Sequence, residues 1–296
     1  MKYVVMVIIA LFVLAACGTG GGQSPSSNFR TGSQALDVKF AANNPNIFYE
    51  GDAVNLLLEL NNRGTFDIRG GFIALSGFDP NVLPNMRVQA SPTFSLEGKS
   101  EFFPTGNVQY LTIDSGPVRM SDNRQRQDQR INVVACYTYE TRASFQVCVD
   151  PDPFNRNVGR KACSLQQVES GAQGHPVAVT SIEPHASSND IRFNLRIQNV
   201  GNGLVYNPTI QPNACGRGLQ NTDLGLFHQT KVTLGDISLD CQPENPLRLI
   251  GNQPAMLNCV CRGCLSGVST AYTTTLDVEL RYGYRNEIST SIQLVR

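Results

Sequence analysis

The feature that most constrains this chain is an alternation of apolar and polar residues with a period of two. It is clearest over residues 54–60 and 191–197, where every second residue is apolar. Such a period places one face of a strand against a core and the other in water, as in half-buried antiparallel strands. No stretch after residue 17 keeps a helical period over ten residues. The sequence therefore predicts an all-β protein.

The alternating segments occur twice, which indicates an internal duplication. The first strand of each pair ends in the same kind of turn, at Asn62-Arg63-Gly64 and at Asn199-Val200-Gly201, 137 positions apart. Asn and Gly tolerate the positive φ of tight turns, so each triplet marks a strand exit. A chance match of alternating strands is the competing explanation, and a second match further along the chain argues against it.

The second match pairs residues 131–139 with 276–284, at an offset of 145. Polar residues follow each run, so we expect a turn and then a returning hairpin strand, at 143–149 and at 288–294. Each run also carries two tyrosines that continue its apolar face. We expect these tyrosines in the core rather than on a ligand-stacking platform. They are Tyr137, Tyr139, Tyr282 and Tyr284.

Short strands separated by Gly, Pro and Asn turns predict an immunoglobulin-like or fibronectin-III-like β-sandwich for each unit. The chain length of 296 residues agrees with about two domains. We place two tandem sandwiches at residues 35–152 and 174–296. A linker at 153–173 joins them, in a region whose prolines resist both a helix and a central strand.

The N-terminus resembles an export signal. Residues 1–16 combine a short positive start with an apolar run of thirteen residues, which spans ~20 Å as a helix against ~30 Å of bilayer hydrocarbon. This pattern predicts a secretory signal peptide, with a short uncleaved anchor as the alternative. Leu14-Ala15-Ala16-Cys17-Gly18 resembles the lipobox of prokaryotic lipoproteins, which implies a lipid on Cys17. Residues 17–34 are rich in Gly and Ser and would form a flexible tether.

Besides Cys17, eight cysteines remain, an even number that predicts up to four disulfides in an exported protein. The hairpin register allows a Cys136–Cys148 bridge, with Cys163 as the competing partner of Cys148. The Cys-x-Cys-x-x-Cys segment at 259–264 is expected to form disulfides that also involve Cys215 and Cys241. Its spacing also suits a metal or a redox motif. The eight are Cys136, Cys148, Cys163, Cys215, Cys241, Cys259, Cys261 and Cys264.

Composition excludes some functions. The chain is formally neutral, with 24 Lys+Arg and 24 Asp+Glu, which argues against nucleic acid as a partner. Its three histidines leave little material for acid–base or zinc chemistry, and no cofactor is expected.

One loop carries oxygen atoms that suit calcium, at Asp150, Asp152, Asn155 and Asn157. It lacks the glycine and the final glutamate of an EF-hand, and such residues are common in any turn. We therefore predict no metal site, and keep calcium as the ligand to test at this loop.

The strands that end in Asn-x-Gly resemble the prokaryotic cell-adhesion-related domain CARDB, over most of 35–152 and 174–296. The paired arrangement is also similar to uncharacterised archaeal surface proteins. The resemblance implies a non-catalytic, extracytoplasmic, lipid-anchored cell-surface protein in adhesion or envelope assembly. Its expected partners are the membrane, through the N-terminal lipid, and an envelope protein or a glycan. The alternatives are an accessory lipoprotein subunit of a secretion, pilus or transport complex, and an extracytoplasmic hydrolase.

Overall fold

The computed structural model describes residues 29–120, 124–154, 161–251 and 253–296. The predicted signal segment 1–16 and Cys17 lie outside these residues, as does most of the tether. The first half of the chain contains β1 (Leu36–Phe40), β2 (Ile47–Tyr49), β3 (Ala53–Asn62), β4 (Ile68–Ser76), β5 (Arg87–Val88), β6 (Thr93–Leu96), β7 (Val108–Pro117) and β8 (Arg126–Val149).

The second half repeats this β-rich organisation and adds a short helix. Its strands are β9 (Val168–Glu169), β10 (Val177–Ala186), β11 (Ile191–Asn199), β12 (Leu204–Tyr206), β13 (Leu226–Leu234), β14 (Ile237–Ser238), β15 (Asp240–Gln242), β16 (Leu247–Arg248), β17 (Ala255–Cys261) and β18 (Tyr272–Val295). The helix α1 covers Pro212–Cys215, and a 3-10 turn covers Asn221–Asp223. The prediction of an all-β chain with antiparallel sheets is confirmed. No helix of the described residues has the length and apolarity to cross a bilayer.

Each half has one small antiparallel sheet. The strand orders are β1-β3-β7-β5 in the first half and β15-β17-β11-β10-β9 in the second. The apolar face of β3, from Val54 to Leu60, is buried, and so is that of β11, from Ile191 to Ile197. The alternation in the sequence therefore predicted both the strands and their buried faces.

A third, nine-stranded sheet runs across both halves. Its main path is β14-β13-β18-β8-β4-β6, and β2, β12 and β16 pair at its sides. The two central strands, β8 and β18, have 24 residues each and pair antiparallel along their whole length. The register runs from Arg126 opposite Val295 to Val149 opposite Tyr272. The same hydrophobic core extends under this sheet from one half into the other.

The predicted hairpin turns after Tyr139 and Tyr284 are wrong, because β8 and β18 continue straight through these positions. Residues 140–142 contain no Gly, Pro or Asn to break the strand. Thr141 keeps the inward position of the alternation, where its Oγ1 lies 3.0 Å from Tyr282 Oη. A polar residue that finds a buried hydrogen-bond partner can stay inside a strand, which is why polarity alone did not mark a turn here.

As a result, each half completes the sheet of the other. The C-terminal part of β8 enters the second half, where Thr141 donates to the Val177 carbonyl on β10. The C-terminal part of β18 enters the first half and pairs in parallel with β2, Leu294 opposite Phe48. This is the arrangement of a strand-exchanged dimer, built within one chain. The division at 153–173 stays a prediction, and each proposed unit takes one strand from its neighbour.

A pseudo-two-fold axis passes through the pair Thr138 and Gly283, because these residues are both opposite each other and 145 positions apart. The four tyrosines surround this axis in the core, and neighbouring ring centroids lie 6.0–6.1 Å apart. Each is at most 1% exposed, so their predicted place in the core is confirmed. Tilted and edge-to-face contacts of this kind stabilise aromatic clusters.

The two Asn turns are equivalent in atomic detail. Asn62 Oδ1 accepts a hydrogen bond from the Gly64 N–H at 3.2 Å, and Asn199 Oδ1 accepts one from the Gly201 N–H at 3.3 Å. In both turns Nδ2 also donates to the carbonyl four residues further on, at 2.9 and 2.8 Å. The predicted duplication therefore extends to individual side-chain hydrogen bonds.

Candidate functional site

One stretch of the central sheet has an open edge on one side of the pseudo-two-fold axis. In the second half, β12 pairs with β18 at Gly283–Arg285. The equivalent stretch of β8 is Thr138–Glu140, and no strand of the described chain pairs with it on that side. The strand β4 joins β8 only from Phe72 onwards. Before that point β4 contains a bulge between Ile68 and Gly71, with a φ of +65° at Gly70.

The gap between β8 and the start of β4 forms a groove of about 530 Å³, here called the axial groove. Ligand pockets in proteins have volumes of roughly 300–1,000 Å³, so the groove has room for a short segment of chain. Its lining residues come from both halves. They are Thr65, Phe66, Asp67, Arg69, Thr138, Glu140, Arg142 and Arg281.

The axial groove carries one uncompensated positive charge. Arg142 pairs with Glu140 at 3.0 Å, and Arg69 pairs with Asp67 at 3.3 Å. Arg281 lies across the strand pair from Glu140, but no carboxylate of the described residues pairs with it. An exposed cation without a partner favours an anionic ligand group at this end of the groove.

The Arg142 side chain contacts an aromatic ring, and the Arg142 backbone contacts a buried histidine. Its guanidinium carbon lies 5.1 Å from the centroid of the Phe66 ring, a cation–π distance. Behind it, His175 Nε2 lies 3.2 Å from the Arg142 carbonyl oxygen and 3.1 Å from Thr65 Oγ1. Burial lowers the pKa of His175 to about 4, so its ring is neutral at physiological pH. Two lining residues of the groove, Thr65 and Arg142, thus share hydrogen bonds with one neutral histidine.

The backbone of β8 turns its free donors and acceptors towards the groove. In antiparallel strands, successive residues direct their N–H and C=O to opposite neighbours. The backbone of Arg142 contacts His175, on the side away from β18. By the same alternation, Thr138 and Glu140 direct their N–H and C=O into the axial groove.

The equivalent place in the other half is filled. Tyr206 of β12 covers Gly283 so closely that a Cβ added there would lie 2.2 Å from the tyrosine ring. Its hydroxyl donates to the Tyr137 carbonyl at 3.3 Å. The disulfide Cys136–Cys215 lies in the same small cluster of buried residues. Tyr206 of β12 therefore closes one side of the axis, and the other side stays open.

A second exposed feature, here called the aromatic surface, consists of Phe102, Phe103, Val108 and Tyr110. Phe102 and Phe103 lie in the loop before β7 and are 86% and 62% exposed. Val108 and Tyr110 are outward residues of β7, 42% and 56% exposed. On its free side, β7 is joined by β5 only at Ile113 and Asp114. The first residues of β7 are therefore an open sheet edge with apolar side chains, the kind of edge that can pair with another chain.

All eight predicted cysteines form disulfides, which are typical of an extracytoplasmic protein. Cys148 is bonded to Cys163, one of its two predicted partners. The alternative Cys136–Cys148 bridge is wrong, because both residues lie on one continuous strand, twelve residues and ~40 Å apart. The expected pairing of Cys215 with the 259–264 segment is also wrong, since Cys215 is bonded to Cys136. The remaining pairs are Cys241–Cys259 and Cys261–Cys264.

Both carboxylate oxygens of Asp150, a predicted calcium ligand, already accept hydrogen bonds within the protein. Its Oδ2 accepts a hydrogen bond from Lys161 Nζ at 2.7 Å, and its Oδ1 accepts one from the Asp152 N–H at 3.0 Å. Asn155 and Asn157 lie outside the described residues. No metal-binding group of His, Cys, Asp or Glu occurs in the part of the chain that is described. Calcium at this loop stays a hypothesis.

No family model and no curated protein matches the chain. The CARDB resemblance therefore rests on the Asn-x-Gly turns alone. The chain is similar, at a low level, to solved structures that include a chaperone, a pilin–chaperone complex and a collagen binding domain. The E. coli chaperone DraB has 9% identity and a TM-score of 0.23, over 76% of this chain and 86% of that one.

Two further solved structures are also distant. The Salmonella enterica SafA pilin in complex with the SafB chaperone has 13% identity and a TM-score of 0.23, over 82% of this chain and 97% of that one. The collagen binding domain of Erysipelothrix rhusiopathiae surface protein RspB has 11% identity and a TM-score of 0.13, over 91% and 94%. Similarity at this level carries no argument about function.

Sequence reasoning missed the axial groove. A turn was expected after Tyr139, which removed Glu140 and Arg142 from the central strand. Two signals were present: the alternation continues unbroken through Thr141, and the outward positions there are charged. The open edge itself has no local signal, because it depends on where β4 bends away from β8.

Proposed function

We propose that this chain is a lipid-anchored, extracytoplasmic and non-catalytic protein that binds an envelope protein through the aromatic surface. The observation that carries the proposal is the exposure of Phe102 and Phe103 beside the open edge of β7. Exposed aromatic side chains grouped in this way are typical of binding hot spots. An open strand edge adds backbone hydrogen bonds, which favours a protein partner over a glycan.

The position of the chain entry supports a partner at the membrane. Lys99, in the same loop as Phe102 and Phe103, donates from Nζ to the Thr31 carbonyl at 3.3 Å. The loop thus lies where the chain enters the fold. If Cys17 carries the lipid, thirteen residues, most of them in the predicted tether, separate it from Thr31. A flexible chain of this length would have an end-to-end distance of about 20 Å, which would keep the aromatic surface near the lipid headgroups.

The anchor is tested by Cys17→Ser. We expect the wild-type protein to fractionate with membranes and to take up labelled palmitate, and the variant to do neither. A wild-type protein that stays in the membrane fraction without taking up label would contradict lipid anchoring and favour an uncleaved N-terminal anchor instead.

The binding surface is tested by photo-crosslinking in intact cells. A benzophenone amino acid at position 103 should crosslink to a defined envelope protein, and the same group at position 250 should not. Ile250 is a matched control because it is 67% exposed in the other half of the chain. Equal crosslinking at both positions, or none at 103, would overturn the proposed surface.

A second candidate is an accessory subunit of a secretion, pilus or transport complex. The open edge of β7 favours it, because a partner strand could add there by β-augmentation. One stoichiometric partner that co-purifies with the wild type, and is lost in the Tyr110→Pro variant, would favour the subunit over an adhesin with several ligands. Proline removes the backbone donor that strand addition needs.

A further inference from the structure

We infer that the axial groove is a second binding site, which takes an extended acidic segment of a protein as an added strand beside Thr138–Glu140. This site is separate from the aromatic surface and does not depend on it. Three independent features of the groove favour such a segment: its shape, its backbone and its charge.

The shape of the segment that fits this edge can be inferred from the other half of the same molecule. There, Leu204–Tyr206 pairs with Gly283–Arg285 as a three-residue strand. The pseudo-two-fold axis relates Gly283–Arg285 to Thr138–Glu140. At the offset of 137, the first-half equivalent of Leu204–Tyr206 is Asp67–Arg69, but β4 pairs with β8 only from Phe72 onwards. Asp67 and Arg69 line the groove of about 530 Å³ instead, so the strand pairing made by β12 is left unmade at Thr138–Glu140.

The backbone is oriented to receive such a strand. Gly225 donates to the Val205 carbonyl, so the neighbouring residues of β12, 204 and 206, direct their backbone groups to β18. Their partners are Arg285 and Gly283, whose equivalents in β8 are Glu140 and Thr138. These two residues direct their own backbone groups into the axial groove. An incoming strand would thus find donors and acceptors in the positions used by β12.

The charge selects an acidic segment. Glu140 and Asp67 are already paired with Arg142 and Arg69, which leaves Arg281 as the cation without a partner. A single carboxylate on the bound segment would meet this need. A basic segment would instead place a cation beside three arginines, and this repulsion disfavours its binding.

The test uses the disulfide-bonded protein and two synthetic eight-residue peptides, one of alternating Asp and Val and one of alternating Lys and Val. We expect saturable binding of the acidic peptide in fluorescence anisotropy, and at least tenfold weaker binding of the basic one. Arg281→Glu should weaken the acidic peptide at least tenfold. Arg192→Glu is the matched control and should leave it unchanged, because Arg192 is an exposed arginine without an ion pair in the described chain, on the sheet of the second half.

Strand addition is separated from simple ionic attraction by backbone methylation of the peptide. Methyl groups on alternate amides should abolish binding in one frame and be tolerated in the other, because only one set of amides faces β8. Binding should also slow amide hydrogen exchange at Thr138 and Glu140. Four results would each overturn the inference. They are an equal loss of binding with both methylation frames, no protection of these amides, equal binding of the acidic and basic peptides, and no saturable binding. Since the aromatic surface is intact throughout, none of these results bears on the proposed envelope partner.

Discussion

Tyr139 and Tyr284 occupy equivalent positions in the two copies of the unit, and each phenol oxygen accepts a hydrogen bond from the backbone after an Asn turn. Tyr139 Oη accepts from the Phe66 N–H at 3.1 Å, and Tyr284 Oη accepts from the Gly203 N–H at 2.9 Å. Burial raises the pKa of both phenols, that of Tyr284 to about 12, so both stay protonated at physiological pH. The two tyrosines thereby connect the turns to the central strands.

The first prediction concerns this connection. Tyr284→Phe removes the acceptor of the Gly203 N–H and the donor to Asn199 Oδ1, which lies 3.0 Å away. A fully buried N–H left without a partner costs about 1–3 kcal/mol, and the Gly203 N–H is partly buried, so we expect the free energy of unfolding in urea to fall by about 1 kcal/mol. Tyr49→Phe is the control, because Tyr49 is 59% exposed, and it should change stability by less than about 0.5 kcal/mol. Equal effects of the two changes would contradict the assigned role.

The second prediction concerns the glycine of the first turn. A Cβ at Gly64 would lie 1.9 Å from Tyr139 Oη, so Gly64→Ala should destabilise the fold by about 2–3 kcal/mol. Gly171→Ala, where no atom lies within 4 Å of the added carbon, should be neutral or slightly stabilising. In a Tyr139→Phe background the cost of Gly64→Ala should shrink, because the clashing oxygen is gone. Strict additivity in this double-mutant cycle would rule out the proposed contact.

The third prediction concerns pH. Burial lowers the pKa of His175 from 6.5 to about 4, so between these values the unfolded chain binds a proton that the folded chain does not. Stability from this residue is therefore complete above about pH 6.5 and is lost as the pH falls towards 4, by about 3 kcal/mol at most. His175→Gln should flatten the urea-unfolding profile in that window. Parallel profiles for the two proteins would show that His175 titrates normally in the fold.

The fourth prediction tests the continuous strand. Spin labels on unnatural amino acids at positions 130 and 146 are separated by sixteen residues of β8, or about 50 Å. A hairpin with Tyr137 opposite Val147 would bring them to about 25 Å. Pulsed electron–electron double resonance should report the longer distance. A dominant short distance would mean that each half closes its own sheet.

The fifth prediction compares two disulfides by the length of chain they close. Cys136–Cys215 closes 79 residues, and Cys261–Cys264 closes three. The loop-entropy model assigns about 4.5 kcal/mol to the first and about 1.6 kcal/mol to the second. Replacing both cysteines of a pair by Ala should therefore cost more stability at 136/215 than at 261/264. The reverse order would point to strain or residual structure in the unfolded chain as the larger effect.

Much of the fold could be predicted from the sequence, because the signal is local. The alternation over Val54–Leu60 and Ile191–Ile197 identified two buried strand faces, and the Asn turns identified the duplication. The hairpins could not be predicted correctly in the same way. The polarity of residues 140–142 suggested a turn, but the buried hydrogen bond of Thr141 to Tyr282 keeps the strand extended, and that bond joins residues 141 positions apart.

The candidate sites were harder to predict for the same reason. The aromatic surface has a local signal in the adjacent Phe102 and Phe103. The axial groove has none, since Arg69, Arg142 and Arg281 come together only when both halves form one sheet. The pairing of Cys136 with Cys215 is likewise a consequence of that sheet.

The exchange of strands also has a consequence for how such a chain could arise. A single copy of the unit lacks the strand that closes its own sheet, so it would fold only by meeting a second copy, and its stability would depend on concentration. Joining two copies in one polypeptide supplies the partner at a fixed local concentration. A protein that is present at low concentration can then stay folded, and its two copies are free to diverge, one closing its groove and the other leaving it open.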